Sequence, residues 1–130
     1  MEDRYLFKAK HFKEWHIGNI VKEPDGLYIR DIKENVMVYI DDESTICQST
    51  GLKDKNGKLI WENDIMVAHL DDYYPEDKTY AKILWRKNGF YIIENGSEDI
   101  SPIDKFDQDH FEVCGNISDN AELLEKREII

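Results

Sequence analysis

A chain of 130 residues with 41% hydrophobic and 12% aromatic side chains has material for one domain, and folding at this length buries about two thirds of the unfolded surface. Apolar runs of only a few residues, such as 36–40 and 65–68, exclude a membrane-spanning helix, and MEDRYLFKAK lacks the basic start and apolar stretch of a signal peptide, so a cytosolic protein is expected. The net charge of −11 is unevenly placed: positions 1–33 carry seven basic and six acidic residues, whereas positions 34–130 carry ten and 22, so direct binding of the whole surface to nucleic acid is disfavoured for want of cations to release counterions.

In chain order the apolar residues alternate or form short β-branched and aromatic runs separated by turn residues, which is the pattern of strands. Residues 5–9, 15–21 and 26–32 read as an opening β-meander, with Pro24 and Gly26 supplying the turn between the last two. Lys8, Lys10, His11 and Lys13 form a local basic group, read as solvated lysines on an edge strand. Short strands follow at 36–40 and 45–47 around the acidic turn at 41–43. Gly51 then breaks the chain, Asn56-Gly57 marks a hairpin tip, and residues 58–61 return as a strand. Glu62, Asn63 and Asp64 turn into a strand over 65–70.

Residues 80–86 alternate, with Ala81, Ile83 and Trp85 on one face. Lys87, Asn88 and Gly89 then turn into a strand over 90–94, and Phe111, Val113 and Gly115 alternate in a last strand. Residues 71–78 and 98–109 read as exposed acidic loops. Asn120 is placed to cap a short C-terminal helix over 121–126, with Leu123 and Leu124 packing back on the sheet. Cys47 and Cys114 have neither zinc nor redox spacing and read as reduced, buried small hydrophobes. Strands this short with turns this tight fit a small twisted barrel after residue 45.

Three collinear segments carry a family resemblance. The stretch TGLKDKNGKLIWENDIM is similar to a signature of the form TGLxDxNGxxIxEGDIV, matching at Thr50, Gly51, Leu52, Asp54, Asn56, Gly57, Ile60, Glu62, Asp64 and Ile65. The opening FKAKHFKEWHIGN has the Trp followed shortly by Gly of the same proteins, and FEVCGNISDNAELLE looks like their closing segment. On these residues the chain resembles the YopX-like proteins of bacteriophages and prophages. Asn63 stands where the family usually has Gly, Cys114 where it often has Ile, and Ala121 where it often has Pro. The resemblance implies a mainly β protein with an N-terminal β segment over 1–48. It also implies an SH3-like barrel with a C-terminal helical turn over 49–130, the two together forming one YopX-like domain. No reaction, cofactor or catalytic set comes with it, and it implies a phage or prophage product in a bacterial cytoplasm.

Chemistry-bearing side chains are few. His11, His16, His69 and His110 are scattered. Asp64, His69, Asp71 and Asp72 suggest a divalent cation for hydrolysis, but on an extended strand Asp64 and His69 point to opposite faces. Asp54 and Asn56 imitate part of a calcium loop without its later acidic positions, and lysines surround them. Neither a nucleophile elbow nor a P-loop pattern is present. The sequence therefore points to a binding module with no metal or cofactor, whose exposed anchors are Tyr73 and Tyr74 in a polar loop. A protein partner is expected, with a homo-oligomer through an edge strand as one version. An acidic decoy of nucleic acid that occupies a host DNA-binding protein is the alternative, and a metal-dependent hydrolase using Asp64, His69 and Asp71 comes third.

Overall fold

The computed structural model describes residues 5–86 and 88–125. Positions 1–4, Lys87 of the expected turn and Lys126 of the expected helix lie outside the described residues. Strand makes up 52% and helix 14%, so the chain is mainly β, and its two antiparallel sheets both stay open. Contacts divide it into two compact units, Met1–Gly51 and Leu52–Ile130.

In the first unit β1 (Phe7–His11), β2 (Glu14–Glu23), β3 (Gly26–Asp31) and β4 (Val36–Tyr39) form an antiparallel meander. After a 3-10 turn at Glu43–Thr45, β5 (Cys47–Lys53) pairs with the free side of β1, giving the order β4-β3-β2-β1-β5. β1 is therefore an interior strand and not the edge expected from its lysines. Ala9, Ile29 and Ile40 are buried together, with Ile20, Leu27, Val38 and Ile46 packed around them. These residues share one side of the sheet because side chains alternate along each strand and the register aligns them. Gly51 does not end β5. It sits inside the strand at φ +79, a conformation glycine adopts without penalty, and Ser49 Oγ accepts its N–H at 3.0 Å.

The second unit begins where β5 passes Gly51, with β6 (Leu59–Trp61) beside it. A five-stranded sheet follows in the order β10-β9-β8-β7-β11, built from β7 (Asp64–Ala68), β8 (Thr79–Arg86), β9 (Gly89–Glu94), β10 (Ile100–Pro102) and β11 (Glu112–Asn116). Ile60, Met66, Ala68, Ala81, Ile83, Ile92 and Phe111 make its core. Each of the larger of these contributes about 1.5–3 kcal/mol by leaving water. The expected alternation of β8 holds at Ala81 and Ile83 and fails at its end, where Trp85 is 46% exposed and Leu84 is buried. There Trp85 pairs across the hairpin with Phe90, ring centroids 4.9 Å apart.

The expected closed barrel is corrected by the edges of this sheet. β10 is three residues long and ends in Pro102, which has no N–H to donate, while the β11 ladder shifts register between Val113 and Gly115. Two elements fall where a loop was expected: β10 and helix α1 (Lys105–His110). Asp104 caps α1, its carboxylate accepting the Asp107 N–H at 2.9 Å while Asp107 accepts the Asp104 N–H at 3.0 Å. The C-terminal helical turn also starts earlier than expected. Asn116 caps α2 (Ile117–Asn120) by accepting from Asp119 N at 2.9 Å, and α3 (Glu122–Glu125) follows. Asn120 is thus inside the helical segment, where its Oδ1 accepts the Asn116 N–H. No helix among the described residues is long and apolar enough to cross a membrane.

Candidate functional site

Between β7 and β8 the chain leaves the sheet in a loop, 69–78, in which Leu70 packs on the core while residues 71–78 are exposed, Pro75 and four carboxylates interrupting any ladder. Local hydrogen bonds hold its shape. Asp71 Oδ1 accepts the N–H groups of Tyr73 and Tyr74 at 2.8 and 3.1 Å, an arrangement favoured by a short carboxylate side chain. The Asp77 N–H donates to Tyr74 O at 2.9 Å, and His69 Nδ1 donates to Pro75 O at 2.8 Å. On this frame Tyr73 is 89% and Tyr74 59% exposed, with Asp72, Glu76 and Asp77 also in solvent. The result is two amphipathic rings presented at low conformational cost inside an acidic rim.

The turn-rich block is structural throughout. Asp54 is buried, and its Oδ1 accepts from Asn56 N and Lys58 N, both at 2.9 Å. Its Oδ2 accepts from Val113 N at 2.8 Å, which ties the hairpin to β11. Both oxygens are thus committed to N–H donors, which removes the calcium-loop reading. Gly57 takes φ +82 at the hairpin tip. Asn63 takes φ +69, a left-handed conformation that Asn tolerates, and its backbone bonds to Ile83 O and from Ile117 N at 2.9 Å each. Ile60 and Ile65 are core residues, and Thr50, Leu52 and Glu62 are half-buried. Asp64 is buried, with its Oδ2 accepting the Trp61 N–H at 2.8 Å. β7 carries the chain about 16 Å from Asp64 to His69, and Asp71 is occupied in its loop, so the hydrolase triad does not assemble. No group of three or more His, Cys, Asp or Glu side chains among the described residues could hold a metal ion.

The YopX protein family model matches residues 8–125. The chain belongs to the YopX family. A search of curated proteins finds no match. The YopX match spans both units and contains the Tyr73 and Tyr74 loop.

At three groups in this YopX chain the structure corrects or adds to the sequence reading. Cys47 is buried as expected, but Cys114 is exposed. Its thiol donates weakly to Ile65 O, and desolvation on that side, with the Glu112 charge nearby, pushes its pKa up. Near the end of β9, Ile92, Glu94, Ser97, Asp99, Ser101 and Asp107 line a cavity of about 240 Å³. Burial, with Asp104 and Glu94 nearby, raises the Asp107 carboxyl, whereas the backbone N–H of Asp107 lowers that of Asp104. The Asp-x-x-Asp spacing was a legible capping signal for this corner.

In the first unit His16 Nδ1 donates to Asp31 Oδ2 at 2.8 Å, and Asp31 Oδ1 accepts from Lys33 N and Glu34 N, closing the turn into β4. The His16 hydrogen bond is the largest cause that holds the Asp31 carboxyl below its ordinary 3.8. A carboxyl whose folded-state pKa is depressed stabilises the fold above its unfolded value, and that contribution fades as pH falls through the folded value. The melting midpoint followed by circular dichroism is therefore expected to drop from about pH 4 downward, and less so in Asp31→Asn. An equal acid-side drop in both proteins would remove this assignment.

Proposed function

We propose that this YopX protein is a non-catalytic protein-binding module, a phage or prophage product acting in the host cytoplasm, whose contact surface is the Tyr73 and Tyr74 loop. The observation that carries the reading is a loop already ordered by Asp71 that holds two tyrosines in solvent. Tyrosine suits such a role because a large rigid ring with a polar tip buries area at little entropic cost. An SH3-like relation of the second unit, with its sheet left open, belongs to the same reading and draws support from the consecutive β7, β8 and β9 around one core. In the homo-oligomeric version the partner is a second copy, and light scattering distinguishes it.

The test is comparative enrichment from host cells with the parent chain and the Tyr73→Ala/Tyr74→Ala double variant. A partner held by the parent is expected to weaken about tenfold or more in the variant, the loss of two exposed interface anchors. Equal retention by both proteins would end the proposal. One observation favours a second reading, an acidic decoy of nucleic acid: Glu94, Asp99 and Asp107 line one cavity, with Asp104 hydrogen-bonded to Asp107 beside it. That reading requires a host DNA-binding protein whose capture weakens with salt, and salt-independent capture would eliminate it.

A further inference from the structure

Hydrogen bonding divides the carboxylates of the 69–78 loop into two kinds. Asp71 is committed inward: its Oδ1 accepts the Tyr73 and Tyr74 N–H groups, so it shapes the loop and offers little to a partner. Asp72, Glu76 and Asp77 are exposed, and their carboxylates make no ion pair or hydrogen bond among the described residues. Counting His69 as neutral, the loop holds four carboxylates against the single lysine Lys78, a net charge of −3. The rings are equally unengaged: neither Tyr73 nor Tyr74 stacks on another ring or holds a cation among the described residues. Beneath them the backbone is fixed by Asp77 N to Tyr74 O at 2.9 Å and by His69 Nδ1 to Pro75 O at 2.8 Å. Little ordering therefore remains to be done on binding.

Charge complementarity selects what such a surface takes. An apolar surface closing over the two rings would strip water from three carboxylates and return no partner to them. An acidic surface or a nucleic acid is repelled by the loop and by the net charge of −11 behind it. A cation meets both needs at once, since a ring face attracts it and a carboxylate pairs with it. Resting on the reading that this loop is the contact surface, we propose that its partner is a protein presenting arginine side chains on a basic segment. The guanidinium groups stack on Tyr73 and Tyr74 and donate to Asp72, Glu76 and Asp77. Arginine fits better than lysine because its plane covers a ring face while its forked N–H donors reach a carboxylate, whereas an ammonium is a strongly hydrated point charge. The same carboxylates steer the basic segment toward the rings, which places much of the salt dependence in the on-rate.

The test is fluorescence anisotropy of a labelled peptide of alternating arginine and glycine, and of its lysine counterpart, with the full chain at about 50 mM salt. The arginine peptide is expected to bind about threefold or more tighter than the lysine peptide. Asp72→Asn/Asp77→Asn is expected to weaken the arginine peptide about five- to tenfold, and Tyr73→Ala/Tyr74→Ala about tenfold. Glu34→Gln/Glu43→Gln removes the same charge from exposed positions of the first unit and is expected to stay within about twofold of the parent. All these substitutions fall on exposed side chains, and an unchanged circular dichroism spectrum checks the fold. Equal losses in the two charge variants would overturn the proposal, because the attraction would then belong to the net charge. Equal binding of the two peptides would overturn it as well, as would parental binding by the tyrosine variant or no binding at about 1 mM peptide. In the enrichment from host cells, a partner that needs Tyr73 and Tyr74 but is held equally by Asp72→Asn/Asp77→Asn overturns the cationic partner and leaves the contact surface standing. Equal retention by the tyrosine variant removes the surface, and this proposal with it.

Discussion

Asp54→Ala is expected to lower the melting midpoint of the second unit by about 10–20 °C, equivalent to about 3 kcal/mol. The carboxylate accepts three backbone N–H groups, and they belong to two distant parts of the chain. Asn56 and Lys58 are exposed, so water can replace the side chain there at small cost. Val113 is half-buried on β11, and its orphaned donor carries most of the penalty. The hairpin frame Asp54 N to Lys58 O at 2.8 Å survives the substitution, as does the link from Lys55 N to Phe111 O at 3.1 Å. The damage should therefore show first as faster amide exchange along β11. Asp54→Asn, which keeps one oxygen but turns an NH2 group toward a donor, is expected to lose about half as much. A melting midpoint for Asp54→Ala within about 2 °C of the parent would refute the role assigned to this side chain.

Gly18→Ala is expected to cost the first unit about 3 kcal/mol or more, enough to abolish its cooperative unfolding. Gly18 is paired on both sides, with Phe7 of β1 and with Asp31 of β3. A Cβ added there would stand 1.7 Å from the Arg30 carbonyl oxygen and 2.7 Å from its carbon, both backbone atoms. Neither strand can yield without giving up ladder hydrogen bonds, and β3 carries Asp31, which closes the following turn. Gly57→Ala is the contrasting case. No atom lies within 4 Å of its added Cβ, so only the strain of φ +82 remains, about 1–2 kcal/mol. Hydrogen exchange resolved by residue distinguishes the two. A Gly18→Ala protein with parental protection across β2 and β3 would disprove the close approach.

Much of the strand order was legible because its signals are local. Pro24 and Gly26 mark the β2–β3 turn, Asn56-Gly57 marks the tip after Asp54, and Asn63 marks the turn into β7. Helix α1 escaped because its acidic residues were read as loop composition, although Asp104 and Asp107 three positions apart form a capping box. Gly51 misled for the opposite reason: the glycine was taken for a chain break, whereas β5 continues through it at positive φ. The loop tyrosines could be named from sequence, since neighbouring carboxylates and Pro75 leave them no core to join. That Trp15, Tyr28, Arg30 and Tyr39 share one side of the first sheet was not legible, because it depends on the pairing register of its strands.

The turn residues, the short alternating runs and the uneven charge were enough to determine a mainly β chain, and the signature around Asp54 determined its family. Tertiary structure alone decided that neither sheet closes, that β1 is interior, that Cys114 is exposed and that Asp54 joins its hairpin to β11 across 59 positions. Turns are properties of a few consecutive residues, fixed by φ preferences and short side-chain hydrogen bonds. Edges, exposure and long-range donors depend on which strand lies beside which, and alternation is equally satisfied by many orders of the same strands.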